Sequence, residues 1–345
     1  MNYHITGDIE MIGQPLVSVI TPCYNGEKYV YRFLDSILAQ TYGNIELIFV
    51  NDGSTDATED IVLSYKNRFE QKAIRFIYIY QENMGLGGAI NTGLRNVHGK
   101  YLCWPDSDDY LETASIEKRV SILEQFTDYA VVTSDAYIRD SKSMDVPLGI
   151  VSNKNHNRFL SDQFELLLTG ESIFCSGCHM VRTDCFLDTH HNAQIFDARR
   201  GQNWQMLLPV YYKYKRYFLD EPLYNYVQYH NTMSHGDDTK VKKIHRCDEH
   251  MEILLNTINR IDMPAADKNK YVDIVKITYA RKKMHIAYDY GDKLLLKTQY
   301  FILKSGNQLT LKDMLVKSAA NYKYIHYLVD VLRVFKRFRT ISLPQ

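Results

Sequence analysis

Lys100-Tyr101-Leu102-Cys103-Trp104-Pro105-Asp106-Ser107-Asp108-Asp109 is a short apolar run that ends in three carboxylates within four residues. The run reads as a buried strand over 100–104, and the acids follow it directly. Carboxylates this close repel one another unless a cation or hydrogen-bond donors offset the charge. A hard divalent ion such as Mg2+ or Mn2+ suits carboxylate oxygens and shares its shell with substrate phosphates. Asp106 and Asp108 straddle one residue on an irregular segment, so both can face one ion or its ligand. The plain alternative is a solvated turn whose acids cap the next helix. Position at a strand end, beside other polar strand ends, argues for the ligand site.

Working outward, strands and helices alternate. Residues 16–20 form a β-branched run between Pro15 and Pro22, and a helix follows with Val30, Phe33, Leu34, Ile37 and Leu38 on one face. A second strand covers 46–50. Ser54, Thr55 and Asp56 offer caps for a helix reaching about residue 69. A third strand spans 74–80, a helix 86–97, then the strand 100–104, a helix 113–126 and a strand 129–133. This alternation predicts an α/β fold with a mostly parallel, Rossmann-like sheet flanked by helices. Ligands on such sheets bind beyond the carboxyl ends of the strands. Three polar clusters fall there: Thr21-Pro22-Cys23-Tyr24-Asn25, Asn51-Asp52-Gly53-Ser54 and the aspartates. Asp52 can accept the imide N–H of a uracil or thymine base, or cap the turn before its helix. Asn25 and Glu27 can hold a ribose or cap theirs.

Lys plus Arg equals Asp plus Glu at 41 each, so no global field draws in nucleic acid. Six cysteines are scattered, and no basic-then-apolar leader opens the chain, which reads as a cytoplasmic protein with reduced thiols. No apolar run approaches the roughly 18 residues needed to span a bilayer. Gly85-Leu86-Gly87-Gly88 matches only part of a dinucleotide fingerprint and follows the third strand, so a nicotinamide enzyme is the weakest reading. Cys175-Ser176-Gly177-Cys178 lacks a partner pair at zinc spacing and reads as two small buried residues.

After about residue 236 strand signals stop. Ile253, Leu254, Ile258 and Ile261, then Val272, Val275, Ile277 and Tyr279, mark helices. The organisation predicted is one domain over 16–236 and a helical region over 237–345 that makes acceptor, oligomer or membrane-surface contacts. Over 321–345, Ile325, Leu328, Val329, Leu332 and Phe335 form a stripe beside Lys323, Arg333, Lys336, Arg337 and Arg339. Such an end lies on an anionic membrane at its inner face, or packs on this protein or a second copy.

The stretches Val17-Ser18-Val19-Ile20-Thr21-Pro22-Cys23-Tyr24-Asn25-Gly26-Glu27, Leu38-Ala39-Gln40-Thr41-Tyr42 and Val50-Asn51-Asp52-Gly53-Ser54-Thr55-Asp56 continue in Glu82-Asn83-Met84-Gly85, Asn91-Thr92-Gly93-Leu94 and Asp106-Ser107-Asp108-Asp109. In this order and spacing the chain resembles the family-2 glycosyltransferases with the GT-A fold, closely over 16–135 and more loosely to about 236. The resemblance implies that Thr21, Pro22, Tyr24, Glu27 and Asn83 lie along the donor nucleotide and Asp52 meets its base. Asp106 would approach the ribose or a metal, and Asp108 would bind that metal on the diphosphate. Mn2+ or Mg2+ would neutralise the leaving nucleoside diphosphate while the acceptor hydroxyl attacks from the opposite face, inverting the anomeric centre. Asp109 and Trp204 would face the acceptor, and His230 or His235 would complete the metal shell.

Two departures stand out. Where relatives carry a Glu-Asp pair that supplies the general base, this chain has Gln202-Asn203 before Trp204. Asp197 is one substitute; an already anionic acceptor is another. The reading preferred here is that Gln202 and Asn203 orient the acceptor hydroxyl and catalysis rests on metal and positioning. Ile90 stands where relatives commonly carry arginine. The function expected is metal-dependent transfer from a nucleotide-diphosphate sugar, with UDP as nucleotide, to a saccharide or lipid-linked acceptor in surface polysaccharide or glycoconjugate synthesis. A sugar-nucleotide binding module with little or no activity is the alternative.

Overall fold

The computed structural model describes residues 3–6, 13–153, 155–229 and 239–320. They divide into two compact units, one from residues up to 229 with 256–263, the other from 239–255 and 264–320. The first unit holds ten strands: β1 Tyr3–Thr6, β2 Val17–Cys23, β3 Ile45–Asp52, β4 Arg75–Gln81, β5 Tyr101–Cys103, β6 Tyr110–Leu111, β7 Tyr129–Asp140, β8 Gly149–Ile150, β9 His179–Arg182 and β10 Lys215–Gln228. They form one sheet in the order β1-β4-β3-β2-β5-β9-β7-β10-β6, with β8 on β7. Its helices are α1 Val30–Leu38, α2 Thr58–Ser64, α3 Lys66–Gln71, α4 Gly85–Leu94, α5 Ser115–Gln125, α6 Phe164–Thr169, α7 Thr183–Thr189 and α8 Gln202–Lys213.

Every residue of β2 and β3 is buried, as expected of parallel strands covered on both faces. One face carries Val17, Val19, Leu47 and Phe49 against Val30, Phe33, Leu34 and Ile37 of α1. The strands β4, β3, β2 and β5 are mutually parallel, as the sequence pattern predicts. The remainder is mixed: β9 runs antiparallel to both β5 and β7, while β10 is parallel to β7. Local pattern did not reveal β10, because its register shifts twice around Pro222, and a shift breaks the two-residue alternation that marks a strand. The helix expected to reach residue 69 is two helices, α2 and α3, meeting at Tyr65.

The second unit is helical among the described residues: α9 Lys240–Arg260, whose last residues belong to the first unit, then α10 Ala265–Asp289, α11 Lys293–Ser305 and α12 Leu311–Ala319. Ala280, Met284, Leu296, Leu303 and Val316 form its core. Buried Asp313 caps α12 with Thr310 and accepts from Arg281 Nε at 3.1 Å. No helix of the described residues is long and apolar enough to cross a membrane. The basic stripe over 321–345 lies outside the described residues.

One buried cation ties the sheet to the loop that precedes β9. Arg119 of α5 is fully buried, and its guanidinium donates to the carbonyls of Ser115, Gly177 and His179 and to the Ser115 hydroxyl. Replacing it leaves three carbonyls without these donors in a dry site. Arg119→Met is expected to cost about 2–4 kcal/mol in urea unfolding.

Candidate active site

Four parallel strands deliver their carboxyl ends to one edge, so residues far apart in sequence become neighbours there. At the end of β2, Thr21 and Pro22 are buried, and the Thr21 hydroxyl donates to the Pro105 carbonyl (3.3 Å). Tyr24 is half exposed. Asn25 adopts a left-handed conformation and laces this loop to the next one: its N–H donates to Ser54 Oγ (2.9 Å), and its Oδ1 accepts from Thr55 N–H (2.8 Å). Glu27 Oε2 accepts from the Ala57 N–H at the start of α2. At the end of β3, Asp52 receives Gln81 Nε2 (2.6 Å) and Met84 N–H (2.9 Å), both on Oδ1. Asn83 is exposed, and its Oδ1 accepts from Gly85 N–H.

Beyond β5 the acids are held tightly. Asp106 Oδ2 accepts from the Ser176 hydroxyl at 2.5 Å, and its N–H donates to Tyr224 Oη. Burial, then the charge of Asp108, pushes the Asp106 carboxyl up to about 7. Burial also raises Asp108, opposed by the Arg32 guanidinium. Arg32 donates to the Tyr229 hydroxyl, which in turn donates to the Asp108 carbonyl. Asp109 points inward: only 1% is exposed, Oδ1 accepts from Val227 N–H, and Oδ2 is buried without a partner among the described residues. Burial and then its acidic neighbours hold its carboxyl well above the usual range. Among the described residues no three His, Cys, Asp or Glu side chains converge to bind a metal unaided.

The start of α8 stands beside this cluster. Asn203 Oδ1 accepts from the Trp104 indole N–H (2.9 Å), and Asn203 Nδ2 donates to the Phe174 carbonyl (2.6 Å). Both ends of the amide are therefore engaged inside the chain. It links Trp104, just after β5, to Phe174, two residues before the turn Ser176–Cys178. Trp204 is likewise 8% exposed and packs under Phe174, with ring centroids 4.6 Å apart. Asp109 is likewise turned toward β10. Gln202 is buried to a similar degree as the first residue of the helix.

Asp197 lies on the loop that leads into α8. Its Oδ1 accepts from Asn91 Nδ2 (2.7 Å), and with Met84, Arg95, Phe196 and Arg260 it lines a cleft of about 270 Å³. Gly87 permits that docking: a Cβ there would stand 2.7 Å from Ala198 N and 2.8 Å from the Phe196 carbonyl. His230 and His235 lie outside the described residues. The cysteines of the Cys175–Cys178 turn are free, and Ser176, one of the two residues between them, is what reaches Asp106. Ser176, Tyr224, Arg32 and Tyr229 escaped the sequence reading. They join the aspartates from distant segments, and nothing in the local pattern marks them.

Residues 18–188 match the model of Glycosyl transferase family 2, so the chain carries a domain of that family. It is 44% identical over 133 residues to an uncharacterized glycosyltransferase of Rickettsia prowazekii, covering 38% of this chain and 40% of that one. It is 45% identical over 122 residues to the glycosyltransferase GlyA of Streptococcus pneumoniae, covering 35% of this chain and 17% of GlyA. The chain thus spans about two fifths or less of these curated relatives. In fold it is similar to S. aureus TarS 1-349 in complex with UDP-GlcNAc, with a TM-score of 0.61 at 16% identity over 90% of this chain and 91% of the other. It is also similar to the mannosyltransferase PcManGT from Pyrobaculum calidifontis in complex with GDP-Man and Mn2+, with a TM-score of 0.51 at 18% identity over 91% and 83%. These likenesses establish the GT-A-like fold.

The raised Asp106 carboxyl has a sign that can be checked. A folded pKa above the unfolded value leaves stability intact at low pH and removes it as pH rises through about 7. Asp106→Asn keeps an oxygen for Ser176 and removes the charge. It is expected to stabilise the metal-free protein by about 1–3 kcal/mol at pH 8, with the gain fading toward pH 4. Urea unfolding at both pH values reads this, and a gain independent of pH would show that Asp106 ionises normally.

Proposed function

We propose that this chain transfers a sugar from a UDP-sugar to a saccharide or lipid-linked acceptor, with inversion, in surface polysaccharide or glycoconjugate synthesis. The observation that carries the reading is the pair Asp106 and Asp108, crowded and half-buried at the same sheet edge that holds Asp52. Excess negative charge in a low-dielectric site is what a divalent cation offsets. The donor set fits Mn2+ or Mg2+ shared with a diphosphate, which needs only one or two protein carboxylates. Asp108, with Asp106 beside it, would hold the ion, and its chemistry there is neutralisation of the leaving diphosphate.

The chain's own residues divide the remaining work. Asp52 keeps Oδ1 on Gln81 and Met84, so Oδ2 is the oxygen for the base imide. Tyr24 gives an exposed ring to the nucleoside, and Thr21, Pro22, Glu27 and Asn83 shape the pocket around it. Ser176 steadies Asp106. No carboxylate stands at the start of α8, where Gln202 is a neutral hydrogen-bonding group, so the displacement leans on leaving-group stabilisation more than on a strong base. A single in-line displacement inverts the anomeric centre.

A thermal-shift series tests this. UDP-sugars with Mn2+ are expected to stabilise the protein by about 2.7 kcal/mol at a hundred times their Kd. GDP-sugars should do less, and Asp108→Ala should abolish the Mn2+-dependent part. Binding with no release of UDP would select the inactive-module alternative. No stabilisation by any nucleotide sugar would remove the reading altogether.

A further inference from the structure

Phe174 is an exposed aromatic ring, and a lone exposed ring usually needs no explanation. Three observations set this one apart. The residue keeps 38% exposure although buried Trp204 packs against its ring, with centroids 4.6 Å apart and planes tilted by 45°, so an aromatic group braced by a buried neighbour still meets solvent. Its backbone is locked: the Phe174 carbonyl accepts from Asn203, and two residues on Ser176 donates to Asp106. Gly177 presses on Tyr224 so closely that a Cβ there would stand 2.0 Å from the ring. Two residues of chain span at most about 7 Å, so the Phe174 backbone stands no farther than that from Ser176, whose hydroxyl meets the Asp106 carboxylate. Exposed ring, rigid mount and reacting edge thus coincide. The neighbouring groups at the start of α8 are amides, which carry no charge.

We infer that Phe174 is the acceptor platform: its ring receives the C–H face of a neutral pyranose whose hydroxyl then lies toward the Asp106–Asp108 edge. Trp204 and Asn203 act through it, the first by backing the ring and the second by fixing its backbone. An aromatic face is large, rigid and apolar, which suits the C–H face of a sugar and leaves its hydroxyls to polar neighbours. This inference rests on the donor reading given above, and the experiment keeps the two apart.

UDP release from the UDP-sugar giving the largest thermal shift is followed with Mn2+ and a panel of methyl pyranosides of glucose, galactose, mannose and N-acetylglucosamine. At least one pyranoside is expected to accelerate release in the wild type. Phe174→Ala should raise the KM for that pyranoside by about tenfold or more, a loss of roughly 1.4 kcal/mol. Phe174→Trp should restore it. The UDP–Mn2+ thermal shift of Phe174→Ala should match the wild type, which shows that the fold and donor site survive. If the donor binds yet no pyranoside accelerates release, or if Phe174→Ala responds as the wild type does, the platform is overturned. If UDP with Mn2+ produces no shift in the wild type, the donor reading itself fails and takes the platform with it.

Discussion

Three acids share the end of β5, and removing their charge from water is the constraint the surrounding structure answers. Asp106 takes the Ser176 hydroxyl, Asp108 has the Arg32 guanidinium nearby, and Asp109 takes the Val227 amide. Each donor comes from a different part of the first unit: the turn before β9, helix α1 and strand β10. The site is therefore where those parts must meet, and it closes the sheet as much as it serves chemistry. Asp109, with one oxygen unpartnered and its carboxyl held up by burial, is the least compensated of the three. Through the Val227 amide it ties β10 to the cluster.

A second layer holds the first in place. Tyr224 of β10 lies under Gly177 and receives the Asp106 N–H, while Arg119 grips the Gly177 carbonyl from the other side. Ser176, between two free cysteines, is thus positioned by a buried cation and a buried phenol. The short Cys175–Cys178 turn is structural in that sense, although its central serine touches the site. The metal role proposed for these carboxylates would draw on precision of this kind, since a misplaced oxygen could not serve the ion.

The departure at α8 gains meaning from the same geometry. In place of an acid pair, Gln202 opens the helix and Asn203 joins Trp104 to the Phe174 carbonyl. An aspartate at 203 could accept from the indole but could not donate to that carbonyl. The amide therefore suits a linking role that an acid could fill only in part. Trp204 then supports Phe174 and leaves Phe174 as the outward surface.

Sequence alone determined the parallel strands β2 to β5, the helices between them and the polar residues at their ends. Each is written in local periodicity and in the residue that follows a strand, so Asp52, Asp106 and Asp108 were legible without coordinates. The helical character of 240–319 was legible for the same reason. Tertiary structure decided what no local pattern carries: β9 antiparallel between β5 and β7, β10 hidden by its register shifts, and Ser176 and Tyr224 brought to Asp106 across 70 and 118 residues. It also set Asp109, Asn203 and Trp204 largely out of solvent. The direction a side chain faces at a helix start or irregular turn depends on what packs against it. That partner is set by the fold and not by the neighbouring letters.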